Sequence, residues 1–123
     1  MSRGPEGSFW KTVRKAWAPS HSQRVEVGNG DADAGTPDVV LSWMFRGGWI
    51  ELKVWPEPLR PMQLPWHQDA IQRGAYARVL CRLDKKGVWL GTAEMYARHV
   101  RLRIKPEGVG LQTALAEIRS ALS

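Results

Sequence analysis

Two short apolar segments separated by a glycine-rich stretch constrain the fold of this chain most. Residues 39–45 form a strongly β-prone run, and residues 49–55 alternate strictly between two sets of side chains. The residues between them, 46–48, read Arg-Gly-Gly, which is typical of a turn. The sequence therefore predicts a β-hairpin over residues 39–55, which the following Pro56 ends.

The second strand of this hairpin carries an acid and a base on one face. Because side chains alternate along a strand, Glu51 and Lys53 project from the same side, while Leu52 points into the core. Two charges in an apolar hairpin are costly unless something compensates them. Asp38 begins the first strand, 13 residues before Glu51. We therefore expect the two carboxylates to hold one divalent cation such as Mg²⁺, which prefers oxygen ligands.

The role of Lys53 beside such a cation stays open among three possibilities. Its ammonium could orient the attacking water, accept a proton from it if the amine were neutral, or stabilise charge on a phosphate under attack. The alternative interpretation makes Glu51 and Lys53 a surface pair on an edge strand, with Asp38 starting a turn. The order, the spacing and the intervening hairpin together favour the catalytic interpretation.

Patterns along the rest of the chain predict helices and further strands. The predicted elements are a helix from Ser8 to about Ala18, a strand over 24–27, a loop over 28–35, a helix from about Pro61 to Arg73 ended by Gly74, strands near 76–83 and 88–92 with a turn over 85–87, a strand over 99–105, and a closing helix through Leu111, Leu115, Ile118 and Leu122. As a strand, 99–105 would present a row of positive charge, either solvated or in contact with DNA. Asp31 and Asp33 resemble part of a calcium loop, but the later ligands are missing, which favours a solvated turn.

Size and charge narrow the functional classes. We expect one domain over residues 1–123, and the formal net charge of +6, mostly from the second half, suits a polyanionic partner. No apolar run approaches the roughly 20 residues of a membrane helix, so we expect a cytoplasmic protein without a membrane partner. The single cysteine, Cys81, is interpreted as a small buried residue.

The histidines and tryptophans add little to the chemistry. His21, His67 and His99 have no metal-ligand spacing and are interpreted as surface residues, with His67 singled out because it follows Trp66 on the predicted helix that carries Gln63. We expect most of the seven tryptophans to be in the core and one or two to stack on exposed bases.

Three segments, with Gly74 after them, resemble the successive motifs of a known nuclease family. They are Gly-Thr-Pro-Asp-Val at 35–39, Trp-Ile-Glu-Leu-Lys at 49–53, and Leu-Arg-Pro-Met-Gln-Leu-Pro-Trp at 59–66. Across roughly 6–83 the chain resembles the VRR-NUC family, a branch of the PD-(D/E)xK nucleases that includes small phage proteins. The resemblance implies a restriction-endonuclease-like α/β core with a central mixed β-sheet flanked by helices.

The resemblance also implies a set of metal ligands. These are Asp38, Glu51 and the backbone carbonyl of Leu52. Glu6, just ahead of the first predicted helix, is favoured as the remaining acid, and Glu26 competes with it.

The resemblance further implies that Gln63 positions Lys53 or the attacking water. Gln68 lies close to Gln63 in sequence but does not keep the family spacing to Trp66. We therefore interpret Gln68 as an exposed helix residue.

The expected function is metal-dependent hydrolysis of phosphodiester bonds in DNA, with Mg²⁺ as cofactor, Mn²⁺ as a substitute and no small-molecule cofactor. The resemblance to dimeric junction resolvases implies a homodimer acting on branched DNA such as a Holliday junction. Alternatives are a nuclease for flaps or nicked duplex, a non-catalytic basic DNA-binding module, and a structural virion or regulatory protein.

Overall fold

A computed structural model describes residues 4–25, 37–85 and 87–123, with only the backbone described for residues 4–6. Helices and strands alternate through these segments. The elements are α1 (Gly4–Trp17), β1 (Ser22–Arg24), β2 (Val39–Trp43), β3 (Arg46–Val54), α2 (Gln63–Gln72), β4 (Ala77–Arg82), β5 (Val88–Gly91), α3 (Ala93–Leu102) and α4 (Leu111–Leu122). No helix in this part of the chain is long and apolar enough to cross a membrane.

The five strands form one mixed sheet in the order β1-β2-β3-β4-β5. Strands β1, β2 and β3 pair antiparallel, as do β4 and β5. The two halves of the sheet meet where β3 and β4 pair parallel, with Glu51 opposite Val79. Parallel neighbours need a crossover connection, and α2 lies within that crossover.

Helices cover both faces of the sheet, each with its own group of buried side chains. Helices α1 and α4 pack on one face, and α2 and α3 contact each other and β4 on the other. The first group contains Phe9, Trp10, Val13, Trp17, Val39, Leu41, Ile50, Leu52, Leu80, Val88, Ala114, Leu115, Ile118 and Leu122. The second contains Val79, Cys81, Trp89, Ala93 and Tyr96. This arrangement confirms the expected α/β architecture, a mixed sheet between helices.

The N-terminal elements begin earlier than the sequence predicts. Helix α1 starts at Gly4 rather than Ser8, so Glu6 lies within its first turn instead of ahead of it. Strand β1 spans Ser22–Arg24, whereas the predicted strand runs over 24–27, of which 26 and 27 lie outside the described residues. The predicted loop over 28–35, with its two aspartates, lies outside the described residues.

The hairpin is confirmed, but the prediction for its turn is wrong. Trp43 pairs with Arg46, so the turn consists of Met44 and Phe45, and the Arg-Gly-Gly segment belongs to β3. Gly48 lies at a position of β3 that has no room for a larger side chain, because the Tyr76 ring lies against it. A Cβ atom on Gly48 would lie 2.9 Å from Cδ2 of Tyr76.

The predicted basic strand over 99–105 is also wrong. Helix α3 occupies Ala93–Leu102, and the Thr92 side chain caps it by accepting a hydrogen bond of 3.2 Å from the Met95 amide. The helix ends at Arg103, which is left-handed with φ 56°. The alternation that indicated a strand therefore crosses a helix and its C-terminal cap. The closing helix is confirmed as α4.

Candidate active site

The register of the hairpin brings Asp38 and Glu51 together across two strands. Val39 pairs with Ile50, so Asp38 lies one step further along, opposite Glu51. The Asp38 side chain is fixed there because its Oδ2 accepts a hydrogen bond of 3.2 Å from the Leu52 amide. The Val25 amide in turn donates to the Asp38 carbonyl oxygen over 2.6 Å. Strand β1 thus holds the backbone that positions this carboxylate.

The Leu52 backbone also faces this pair. The N–H and C=O groups of one strand residue point toward the same neighbouring strand, so the Leu52 carbonyl oxygen faces the Asp38 side as its amide does. This orientation is compatible with the ligand role implied by the resemblance. That role stays a prediction.

Glu51 and Lys53 are both buried, with 1% and 2% of their surfaces exposed. They share one face of β3, as the alternation predicts, and Lys53 Nζ lies 3.6 Å from Glu51 Oε2. Lys53 has a second partner that the strand pattern does not predict, because its Nζ also lies 3.8 Å from Oε2 of Glu57. The ammonium therefore sits between two carboxylates. The interpretation as a surface pair on an edge strand is wrong, since β3 is an inner strand.

The surroundings of Glu51 disfavour its charge. The pKa of Glu51 is raised to about 9, chiefly by burial and also by the nearby Asp38 carboxylate, while the Lys53 ammonium and the Gln63 amide oppose the rise. Glu51 Oε1 and Gln63 Nε2 nevertheless make no hydrogen bond of acceptable geometry. A bound cation would remove the cost of ionising Glu51.

Four buried polar atoms around this point have no hydrogen-bond partner within the described part of the chain: Glu51 Oε1, Gln63 Nε2 and both ring nitrogens of His67. Gln63 and His67 are four residues apart on α2 and are the buried residues of that helix. The side-chain oxygen Oε1 of Gln63 is fixed, since it accepts a hydrogen bond of 2.8 Å from the backbone N–H of Arg60. The side-chain nitrogen Nε2 is the end of this amide that no described residue contacts by a hydrogen bond. Unpartnered buried groups are rare in folded proteins and mark places where an ion, water or ligand belongs.

His67 lies where the sequence does not predict it. The interpretation as a surface residue is wrong, because His67 has 0% of its surface exposed. The pKa of His67 is lowered to about 4, chiefly by burial and also by the positive charges of Arg78 and Lys53, so the ring is neutral at pH 7. The signal that could have indicated burial is its spacing of four from Gln63, which places both on one helix face.

The donor set fits Mg²⁺ as far as the described residues extend. Asp38 and Glu51 offer carboxylate oxygens from adjacent strands, and Glu51 Oε1 has no hydrogen-bond partner in residues 4–25, 37–85 and 87–123. Such sites commonly use one or two carboxylates and leave other positions to water and phosphate. No group of three or more His, Cys, Asp or Glu that could hold a metal ion occurs among residues 4–25, 37–85 and 87–123. The Glu6 side chain and Glu26 lie outside what the structure describes, so the choice between them stays open.

Cys81 is buried, as expected, and is unsuited to nucleophilic chemistry. Burial raises the pKa of its thiol to about 11. Its Sγ lies 3.8 Å from the Tyr96 hydroxyl. A thiol with this pKa is almost fully protonated at neutral pH, which confirms the structural interpretation.

Comparisons with known proteins bear on the fold. No family model matches the chain, and no curated protein sequence matches it. Among solved structures, the chain is similar to Hjc, a Holliday junction resolvase from the archaeal hyperthermophile Archaeoglobus fulgidus, with 21% identity and a TM-score of 0.59 over 91% of this chain and 96% of that chain. This likeness bears on the fold alone and does not test the resemblance to the VRR-NUC family. The chain has the restriction-endonuclease-like α/β fold of that resolvase.

Proposed function

We propose that this protein is a Mg²⁺-dependent endodeoxyribonuclease, with Mn²⁺ able to substitute. One observation carries the proposal: a buried Glu51 and Lys53 share a strand face beside Asp38, and one Glu51 carboxylate oxygen has no hydrogen-bond partner among the residues that the structure describes. Charged groups are buried in this way at functional sites, where their cost is offset by a ligand or by the reaction.

Each residue of the site has a distinct part in this reaction. Asp38, Glu51 and the Leu52 carbonyl would hold the cation. The chemistry that Mg²⁺ supplies when bound is to acidify a water and to offset negative charge on the phosphate. Lys53 presents its ammonium 3.6 Å from Glu51, where it orients the attacking water and stabilises charge on the phosphate.

Helix α2 supplies the cover of the site. Gln63 is anchored through its carbonyl oxygen, so its free amide nitrogen is available to position the attacking water. Glu6 is the preferred further acid because the resemblance implies a glutamate on the first helix, and the backbone of Glu6 lies in the first turn of α1.

The preferred substrate is branched DNA, and the preferred assembly is a homodimer. The fold of a Holliday junction resolvase supports the first. A formal charge of +6 supports binding to a polyanion. A nuclease domain can select DNA by its shape, and two sites related by a twofold axis suit a four-way junction.

A cleavage assay tests the proposal. Labelled four-way junction, flap, nicked duplex and linear duplex are incubated with Mg²⁺, Mn²⁺ or chelator, using wild type, Asp38→Asn and Lys53→Ala. We expect metal-dependent cuts that Asp38→Asn and Lys53→Ala reduce by about 100-fold or more while DNA binding survives. Identical products from wild type and both variants would indicate a contaminant. Binding without any cleavage would favour a non-catalytic DNA-binding module.

A further inference from the structure

The turn of the β2–β3 hairpin breaks two rules of local structure. Its residues, Met44 and Phe45, here called the hairpin tip, have φ values of 52° and 68°. A two-residue hairpin turn with both φ angles positive favours Asn-Gly, because the left-handed backbone crowds any Cβ atom. Neither residue of the hairpin tip is of this kind.

The hairpin tip also exposes its apolar side chains. Phe45 is fully exposed, at 109% of the reference surface, and Met44 is 64% exposed. A polar or glycine-containing turn would avoid both the strained backbone and the apolar exposure. Natural sequences break local rules in this way chiefly where a function requires it.

The position of the hairpin tip links it to the site. Arg46 follows Phe45 directly, is exposed and begins β3, the strand that carries Glu51. Arg46 and Glu51 are five residues apart in sequence, which corresponds to about 17 Å along a strand. This length matches roughly five base-pair steps of duplex DNA at about 3.4 Å each. DNA bound at Glu51 and running along β3 would therefore reach the hairpin tip.

The chemistry of the hairpin tip fits nucleic acid better than another protein. Phe and Met are among the side chains that proteins insert between base steps, and aromatic rings stack on any exposed base. The adjoining guanidinium of Arg46 suits the phosphate backbone. Two side chains at a turn offer far less area than the roughly 800 Å² per partner that a stable protein interface buries.

We propose that the hairpin tip is a wedge that stacks on a base at the branch point of a DNA junction, with Arg46 on the neighbouring phosphate. This inference rests on the proposed function and adds a recognition element to it. Insertion into continuous duplex requires breaking a base stack, whereas bases at a branch point already have an open stacking face. The wedge therefore favours branched over linear DNA.

The decisive variant is Met44→Asn/Phe45→Gly, which gives the turn its preferred residues. We expect it to fold at least as stably as wild type, since it relieves the strained backbone. Its affinity for a four-way junction is expected to fall about tenfold, within the range of one lost base stack, while its affinity for linear duplex is unchanged. Both proteins carry Asp38→Asn to prevent cleavage, and binding is measured by anisotropy.

Two control variants distinguish stacking by the hairpin tip from general effects of apolar exposure and of charge. Met95→Ala removes another exposed apolar side chain, on α3, and is expected to leave both affinities unchanged. Arg46→Ala should weaken junction and duplex binding equally. Unchanged junction affinity in the Met44→Asn/Phe45→Gly variant would overturn the proposal, as would an equal loss on both DNAs. If light scattering gave the Met44→Asn/Phe45→Gly variant a different mass in solution from wild type, the hairpin tip would contact a second copy of the chain. That result would overturn the proposal as well.

These binding measurements, together with the cleavage assay on wild type, separate this inference from the nuclease proposal. If wild type never cleaves but its junction preference depends on Phe45, the wedge is supported and the nuclease proposal fails. If wild type cleaves in Mg²⁺ and the variant keeps its junction preference, the wedge alone fails.

Discussion

Glu51 connects the chemistry of the site to the stability of the fold. Its pKa is raised to about 9, mainly by burial, against an ordinary value of 4.5. Between these values the folded state holds a proton that the unfolded state has released, so the free energy of unfolding falls as pH rises. We expect metal-free protein to lose about 1 kcal/mol of stability per pH unit from pH 7 to 9. Urea unfolding in chelator measures this slope.

Two comparisons make this test specific. Glu51→Gln removes the titrating group and should flatten the slope. Adding Mg²⁺ should flatten it too, because a ligand that binds only the folded, ionised site stabilises it more as pH rises. Equal slopes for wild type and Glu51→Gln would contradict the assignment.

His67 gives a second stability prediction with the opposite sign. Its pKa is lowered to about 4 from 6.5, mainly by burial, so the unfolded state binds a proton that the folded state rejects. Stability from this residue is complete above pH 6.5 and is lost as pH falls toward 4. In a Glu51→Gln background, His67→Leu should remove that loss. It should also leave stability at pH 7.5 equal or higher, because it replaces an unpartnered polar ring with an apolar side chain. A loss of stability at pH 7.5 would show that the ring has a partner in solution.

For single residues, local periodicity predicts the carboxylate pair and the lysine but not their surroundings. The alternation along β3 is sufficient to place Glu51 and Lys53 on one face. The spacing of four from Gln63 places His67 on the Gln63 face of α2, but the burial of that face depends on how α2 is rotated over the sheet. Glu57 follows Pro56 beyond the strand, so the period of two carries no information about it.

Among the secondary-structure elements, β3 contains two glycines, and one of them, Gly48, packs closely against the Tyr76 ring. The missing Cβ of Gly48 leaves room for the Tyr76 ring, from which a methyl group would be separated by only 2.9 Å. Gly48→Ala should lower the free energy of unfolding by about 1–3 kcal/mol through overpacking. Thermal unfolding measures it.

Gly47→Ala is the matched control. Its Cβ would lie 3.2 Å from a methyl of the Val40 side chain, which can move by a few tenths of an ångström, so we expect a smaller effect. Equal effects of the two substitutions would contradict overpacking against Tyr76 as the cause.

The two wrong element predictions have different causes. Residues 99–105 alternate in character, but Val100 also completes a helical face with Tyr96. A short segment can satisfy both periods, and tertiary packing of Tyr96 decides between them. The available signal was Thr92 at the N-cap position. For the hairpin, Gly-Gly is the commoner turn, and the strained Met-Phe turn could not be predicted from propensity.

For the assembled molecule, the proposed homodimer predicts how mixed subunits cut. If wild type and Asp38→Asn are combined in equal amounts, about half of the dimers carry one active site. These should nick one strand of a four-way junction, whereas wild-type dimers cut two. Products resolved on native and denaturing gels distinguish nicks from paired cuts. If the mixture instead gave half the paired cuts of wild type alone and no added nicks, the protein would act as independent monomers or its subunits would not exchange.

The parallel pairing of β3 with β4 has a consequence for how this site can vary. It forces the chain to cross over after β3, so α2, which covers the site, is joined to β3 by the eight residues 55–62. One residue added to that connection would rotate α2 by about 100° if the rest of the helix kept its place. Gln63 and His67 would then swing away from Glu51 together. We therefore expect a change in the length of this connection to remove Gln63 and His67 from the site together, rather than to shift their positions gradually.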